Sequence, residues 1–91
     1  MDPANAFARY GLAMEYVNQG QVETGLAEFD ALIAAQPDYV PAYQMAAQTL
    51  AKVERIPEAV VRLKDGIASA RRTGNTHAMS EMQGMLDELD R

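Results

Sequence analysis

The chain has 91 residues, a formal net charge of −5 and a hydrophobic fraction of 48%, which is enough to pack one domain and argues against disorder. It contains no cysteine, so a disulfide framework and a thiolate metal site are excluded. The negative charge argues against general nucleic-acid binding. No signal-peptide pattern and no apolar run of membrane-spanning length are present, so we expect a soluble cytoplasmic protein with no nucleic-acid or membrane partner.

The first predicted helix begins at Asp2-Pro3, because Asp caps helix starts and Pro loses no hydrogen bond at the first helical position. Apolar residues then recur every three or four positions, as one helix face requires: Phe7, Tyr10, Met14 and Val17. A second apolar set follows an adjoining face: Leu12, Ala13 and Tyr16. The first helix therefore has two apolar faces, one more than packing against a single neighbour needs.

Glycine and proline divide the rest of the chain into four more helices. Gly20 predicts a short turn after the first helix, and Gln36-Pro37 ends the second. Pro41 and Pro57 mark the starts of the third and fourth helices, and Gly74 ends the fourth. The last helix, about 75–90, places four apolar residues on one face: Met79, Met82, Leu86 and Leu89. We predict five helices and no strand.

The spacing of large and small residues repeats after 34 positions. The first copy reads Leu12-Ala13-x2-Tyr16, Gly25-x3-Phe29 and Pro37, and the second reads Ala46-Ala47-x2-Leu50 and Ala59-x3-Leu63. This pattern resembles the tetratricopeptide repeat, although Arg9 replaces the first large residue and Arg71 the second proline. The resemblance implies an all-α, right-handed α-solenoid with repeats at about 6–39 and 40–73. The helix at about 75–90 then caps the exposed apolar face.

Gly25 stands where the family places a small residue, because the two helices of a repeat approach each other most closely there. The resemblance therefore sets Gly25 opposite Ala13 and gives it a packing role. Alanine is also common at this position and favours helix, so we expect Gly25→Ala to be neutral or stabilising by up to about 1 kcal/mol.

The resemblance also implies a concave groove, lined by the first helix of each repeat, that holds a peptide or helix of a partner protein. By position, the groove residues are Phe7, Tyr10, Met14, Val17, Gln44, Gln48 and Lys52. The alternative is that the stripe from Phe7 to Val17 is ordinary core. If it lines the groove, replacing Tyr10 and Met14 by Ser should cost less than about 1 kcal/mol. The Lys and Asn side chains with which some members grip a C-terminal carboxylate are replaced here, so a chaperone-tail receptor is disfavoured.

The polar residues do not suggest catalysis. His77 is the only histidine, Ser69 and Ser80 are the only serines, and no glycine-rich phosphate loop is present. We therefore expect no enzyme activity, no cofactor and no metal site. The methionines at positions 79, 82 and 85 fit either a lid packed on the fourth helix or an adaptable binding surface, and we favour the lid.

The sequence thus predicts a protein-interaction module, acting as an adaptor or scaffold, that binds a segment of another protein in the concave groove. Two alternatives stay open. One is a structural protein that forms a homodimer through the apolar groove face, and the other is a non-catalytic regulatory subunit of an enzyme.

Overall fold

The structure is a computed structural model that describes residues 3–90, with side chains from Asn5 onward. Within this range the chain forms five helices and no strand: α1 Pro3–Asn18, α2 Val22–Ala35, α3 Val40–Lys52, α4 Ile56–Thr73 and α5 Thr76–Leu89. Asp2, the predicted cap of α1, lies outside the described residues. The predicted five-helix architecture is confirmed.

Consecutive helices pack against each other, so α1 pairs with α2, α3 with α4, and α5 covers α4. The two hairpins meet mainly through α2 and α3. Phe29, Leu32 and Leu63 are fully buried large side chains of the second helices, and one continuous core runs from Ala6 to Met82. Each hairpin therefore buries the apolar stripe of its second helix, as amphipathic helices do.

Three helices are followed by a turn in which one residue has a left-handed backbone conformation, with positive φ. Gly20 has φ +83°, Glu54 has φ +63° and Gly74 has φ +72°. In each case the next N–H donates to a carbonyl five residues back, at 2.8 Å: Gln21 to Tyr16, Arg55 to Leu50 and Asn75 to Ala70. Glu54 lies 34 residues after Gly20, so the second repeat makes with glutamate the turn that the first makes with glycine.

Gly25 lies at the closest approach of α1 and α2. A Cβ atom on it would be 3.0 Å from the Ala13 carbonyl oxygen, which confirms the pairing of Gly25 with Ala13. The same Cβ would be 2.5 Å from the Val17 Cγ2 and 3.3 Å from the Val17 nitrogen. The branched side chain of valine is stiff in a helix, so the Val17 methyl group does not move aside easily. The structure therefore contradicts the expectation that Gly25→Ala is neutral or stabilising, and we expect this change to destabilise the protein.

The fifth helix is held by one close approach to the second hairpin. Met82 is fully buried, and a Cβ on Gly66 would be 2.6 Å from the Met82 Sδ and 2.7 Å from the Tyr43 Cβ. Met79 and Met85 are half-buried and pack against the core. The methionines of α5 therefore serve as a lid on α4, and the alternative of an open methionine surface does not hold.

In the turn between the hairpins, one carbonyl oxygen accepts hydrogen bonds from three side chains. Pro37 O accepts from Tyr43 Oη at 2.6 Å, from the buried Ser69 Oγ at 2.8 Å and from Arg72 Nη2 at 3.2 Å. Arg72 Nη2 also lies 2.8 Å from a carboxylate oxygen of Asp38, and hydrogen bonding to that carboxylate raises the pKa of Arg72. The connection between the two hairpins is thereby tied to both α3 and α4.

Candidate functional site: the α1–α3–α5 cleft

A cleft of about 290 Å³ lies where α1, α3 and α5 face one another. It is lined by Tyr10, Val40, Pro41, Gln44, Met45, Gln48, Asn75, His77 and Ala78. Three of the seven predicted groove residues are brought together here, namely Tyr10, Gln44 and Gln48. We call this site the α1–α3–α5 cleft.

Tyr10 belongs to the cleft and to the core at once. Its ring centroid is 6.0 Å from that of Phe29, edge to face, and 5.8 Å from that of Tyr39. Burial, and then the neighbouring Tyr39, raise the pKa of the Tyr10 phenol, so its hydroxyl is neutral at pH 7. Met14 is also half-buried and packed on the core. The expectation that replacing both by Ser costs little is therefore wrong, since each contributes core contacts.

The other predicted groove residues lie outside this cleft. Val17 directs its Cγ2 at Gly25 and packs between the two helices of the first hairpin, so it does not line this cleft. Phe7 is 69% exposed on α1, and Lys52 is exposed at the end of α3. Phe7 and Met14 on α1 and Lys52 on α3 therefore do not line the cleft.

The fifth helix contributes residues to the cleft that the sequence analysis did not assign to it. Asn75 caps α5 by accepting from the Ala78 N–H at 3.1 Å, and it also lines the cleft. Glu81 Oε1 lies 3.5 Å from Gln44 Nε2 and 3.5 Å from His77 Nε2, so long polar contacts link α3 with α5. The 34-residue spacing could have predicted that α5 lines the cleft, because Gln44 follows Tyr10 and Ala78 follows Gln44 at that spacing.

The side chains that line the cleft are groups that can bind a partner chain. Residues 3–90 include no group of three or more histidine, aspartate or glutamate side chains placed to hold a metal ion. Of the helices described, none combines the length and the apolar character that crossing a membrane requires. The cleft presents the Tyr10 phenol, the carboxamides of Gln44, Gln48 and Asn75 and the His77 imidazole, all of which can hydrogen-bond to a bound chain, over an apolar floor.

Comparison with known proteins identifies the fold. A tetratricopeptide repeat domain protein from Salinibacter ruber, in its solution structure, is 30% identical over 98% of this chain and 90% of its own, with a TM-score of 0.89. The crystal structure of a tetratricopeptide repeat domain protein from Salinibacter ruber matches at 29% identity over 93% of this chain and 94% of that chain, with a TM-score of 0.84. A protein from Bordetella parapertussis shares the fold at 24% identity, covering 94% of this chain and 75% of its own, with a TM-score of 0.82.

Neither the protein-family models nor the curated proteins produce a match. The 34-residue register, the paired helices and the likeness to the Salinibacter ruber structures nevertheless agree on one assignment. The chain belongs to the tetratricopeptide repeat family.

Proposed function

We propose that the protein is a non-catalytic adaptor or scaffold of the cytoplasm that binds a segment of another protein in the α1–α3–α5 cleft. Its tetratricopeptide repeat neighbours suggest an interaction module in general. The observation that carries the proposal is that the first helices of both hairpins present predicted groove residues to one cleft, Tyr10 from α1 and Gln44 and Gln48 from α3. Phe7, large and exposed on the same face of α1, extends this surface with an apolar contact.

The chemistry of the cleft suits a peptide backbone. Each glutamine carboxamide donates and accepts at the same end, so it pairs with one peptide unit of a bound segment. The neutral Tyr10 hydroxyl adds a further donor and acceptor, while Val40 and Met45 supply an apolar floor for one side chain of the segment. A non-catalytic regulatory subunit would use the same surface, so that role differs only in the identity of the partner.

A homodimer through this face is the second candidate, and the exposure of Phe7 favours it. In that case Phe7 of each copy is covered by the other copy, and association depends on concentration. Sedimentation velocity at several concentrations separates the two candidates. A monomer at every concentration excludes the homodimer, whereas a dimer that dissociates in the Phe7→Ser variant supports it.

The interaction proposal is tested by affinity capture with the Phe7→Ser/Gln48→Arg double variant. Both side chains are exposed, so the free energy of unfolding should change by less than about 1 kcal/mol. The matched control is Gln19→Arg, which introduces the same side chain at an exposed position in the turn after α1. We expect the double variant to lose partners that the wild type and the control both retain. Equal capture by all three proteins would contradict binding in this cleft.

A further inference from the structure

A second and larger cleft, of about 460 Å³, lies between α2 and α4 and shares no residue with the first. Its floor is apolar and its rim is charged. The floor consists of Leu26, Ala27, Leu50, Pro57 and Val61, and the rim of Glu23, Asp30, Arg55, Glu58 and Arg62. We call it the α2–α4 cleft. Its volume falls in the range of about 300–1,000 Å³ that is usual for binding pockets.

Two ion pairs cross this cleft from one helix to the other. Glu23 pairs with Arg55, and a carboxylate oxygen of Asp30 lies 2.6 Å from Arg62 Nη2. On each helix the two residues are seven positions apart, about two turns, so the pairs stand at successive levels along the cleft. In the floor, Ala27, Pro57 and Val61 are exposed to solvent, whereas Leu26 and Leu50 are buried.

Each arginine is also held by a carboxylate of its own helix. Arg55 donates two hydrogen bonds to Glu58, at 2.8 and 2.7 Å, and these bonds lower the pKa of the Glu58 carboxyl group. Arg62 Nη1 lies 3.8 Å from a carboxylate oxygen of Asp65. Two arginines are therefore shared among four carboxylates, and negative charge is in excess around the cleft.

The exposed fractions of the ion-paired side chains show which charge faces solvent around the cleft. The side chains of Arg55 and Arg62 are 34% and 24% exposed, whereas those of Glu23, Asp30, Glu58 and Asp65 are 80%, 57%, 55% and 55% exposed. The carboxylates are thus more exposed than the arginines, so the charge that faces solvent around the cleft is mainly negative. Within it, Val61 leaves 56% of its surface exposed, an apolar patch surrounded by negative charge.

We infer that the α2–α4 cleft is a second docking site, separate from the α1–α3–α5 cleft, for a protein segment that carries a large apolar side chain flanked by lysine or arginine. The apolar side chain covers Val61 and the open floor. The basic residues reach the exposed oxygens of Glu23, Asp30 and Glu58, whose charge steers the segment to the site. The chain would then hold two partner segments at once, one on each cleft.

The test is amide chemical-shift mapping of the ¹⁵N-labelled full chain with three blocked peptides, KKLFKK, EELFEE and KKSSKK. We expect KKLFKK to shift amides of Leu26, Ala27 and Val61 and to bind at least about tenfold more tightly than the other two peptides, because only it has both the charge and the apolar core. Equal shifts with KKSSKK would show charge attraction alone and overturn the proposal, as would shifts confined to Tyr10, Gln44 and Gln48.

A pair of matched variants completes the test. Val61→Glu adds a carboxylate to the apolar floor, and Val53→Glu makes the same change at another exposed valine outside the cleft. Both should remain folded, which thermal melts check. We expect Val61→Glu to weaken KKLFKK binding at least about tenfold and Val53→Glu to change it less than about twofold, since only Val61 lies in the site. An equal effect of the two variants, or no detectable binding to the wild type, would overturn the proposal.

Discussion

The two hairpins share one repeat but not the same surroundings. The second lies between the first hairpin and α5, whereas the outer side of α1 has no helix against it within the described residues. Three positions of α3 are therefore buried and their counterparts on α1 exposed: Ala42, Ala46 and Thr49 against Ala8, Leu12 and Glu15. The residue that a repeat position accepts depends on what covers it, so a repeat pattern alone does not define burial.

A second difference concerns the crossing within each hairpin. The first combines Gly25 with Val17, and the positions 34 residues later are Ala59 and Ala51. The first hairpin thus pairs a small residue with a larger one where its helices cross, whereas the second pairs two alanines. At the first crossing Gly25 has no room for an added methyl group, because Val17 already fills the gap.

The largest effect should come from uncovering the second hairpin. Met82→Ala removes a fully buried side chain that packs on Gly66, so the free energy of unfolding should fall by about 2–5 kcal/mol in a urea titration. Leu12→Ala on the uncovered side of α1 should change it by no more than about 0.5 kcal/mol. A loss at Leu12 as large as at Met82 would show that the outer side of α1 is covered in solution.

The next effect concerns the two crossings. Gly25→Ala should destabilise the protein by about 1–3 kcal/mol, because its methyl group overlaps Val17 and the Ala13 carbonyl. In the Val17→Ala background, which recreates the alanine pair of the second hairpin, the same change should cost less than about 0.5 kcal/mol, helped by the helix preference of alanine. Denaturant titrations of the four proteins in this cycle give the coupling. Additive effects would mean that Val17 is not what excludes the methyl group.

The smallest effect is expected at the two turns, and with opposite signs. Gly20→Ala forces a side chain into the left-handed conformation and should lower the free energy of unfolding by about 1 kcal/mol. Glu54→Gly relieves the same strain and should raise it by up to about 1 kcal/mol. Thermal melts distinguish the two. A loss of stability in Glu54→Gly would indicate that the glutamate side chain contributes more than its backbone strain removes.

The sequence predicted the features that depend on local signals. Helix spacing, proline and glycine turns and the 34-residue register defined all five helices and brought Gly25 against Ala13. The sequence did not predict where the side chains of α1 point. Tyr10, Met14 and Val17 lie within one apolar stripe, and whether each of them contacts the core or the cleft depends on how α1 crosses α2. Val17 was assigned to the groove for that reason, although it fills the space that Gly25 leaves.

The α2–α4 cleft had no signal in the sequence that local reasoning detects. Its ion pairs join residues 32 positions apart, Glu23 with Arg55 and Asp30 with Arg62, and each residue alone is an ordinary charge on a helix surface. Only the stacking of the two hairpins brings them together. Three of the six basic residues between positions 40 and 73, namely Arg55, Arg62 and Arg72, pair with acids among the first 39 residues.

The Pro37 carbonyl, which accepts from Tyr43, Ser69 and Arg72, sets the bend between the hairpins. A carbonyl oxygen has two lone pairs, so three donors leave it no further capacity and fix the direction in which the chain leaves α2. The curvature of the α1–α3–α5 face is then established during folding, before any segment arrives. If the α1–α3–α5 cleft is the binding site that we propose, a partner that matches this curvature would bind without the loss of freedom that bending a flexible surface imposes, and one that does not match would be rejected by shape.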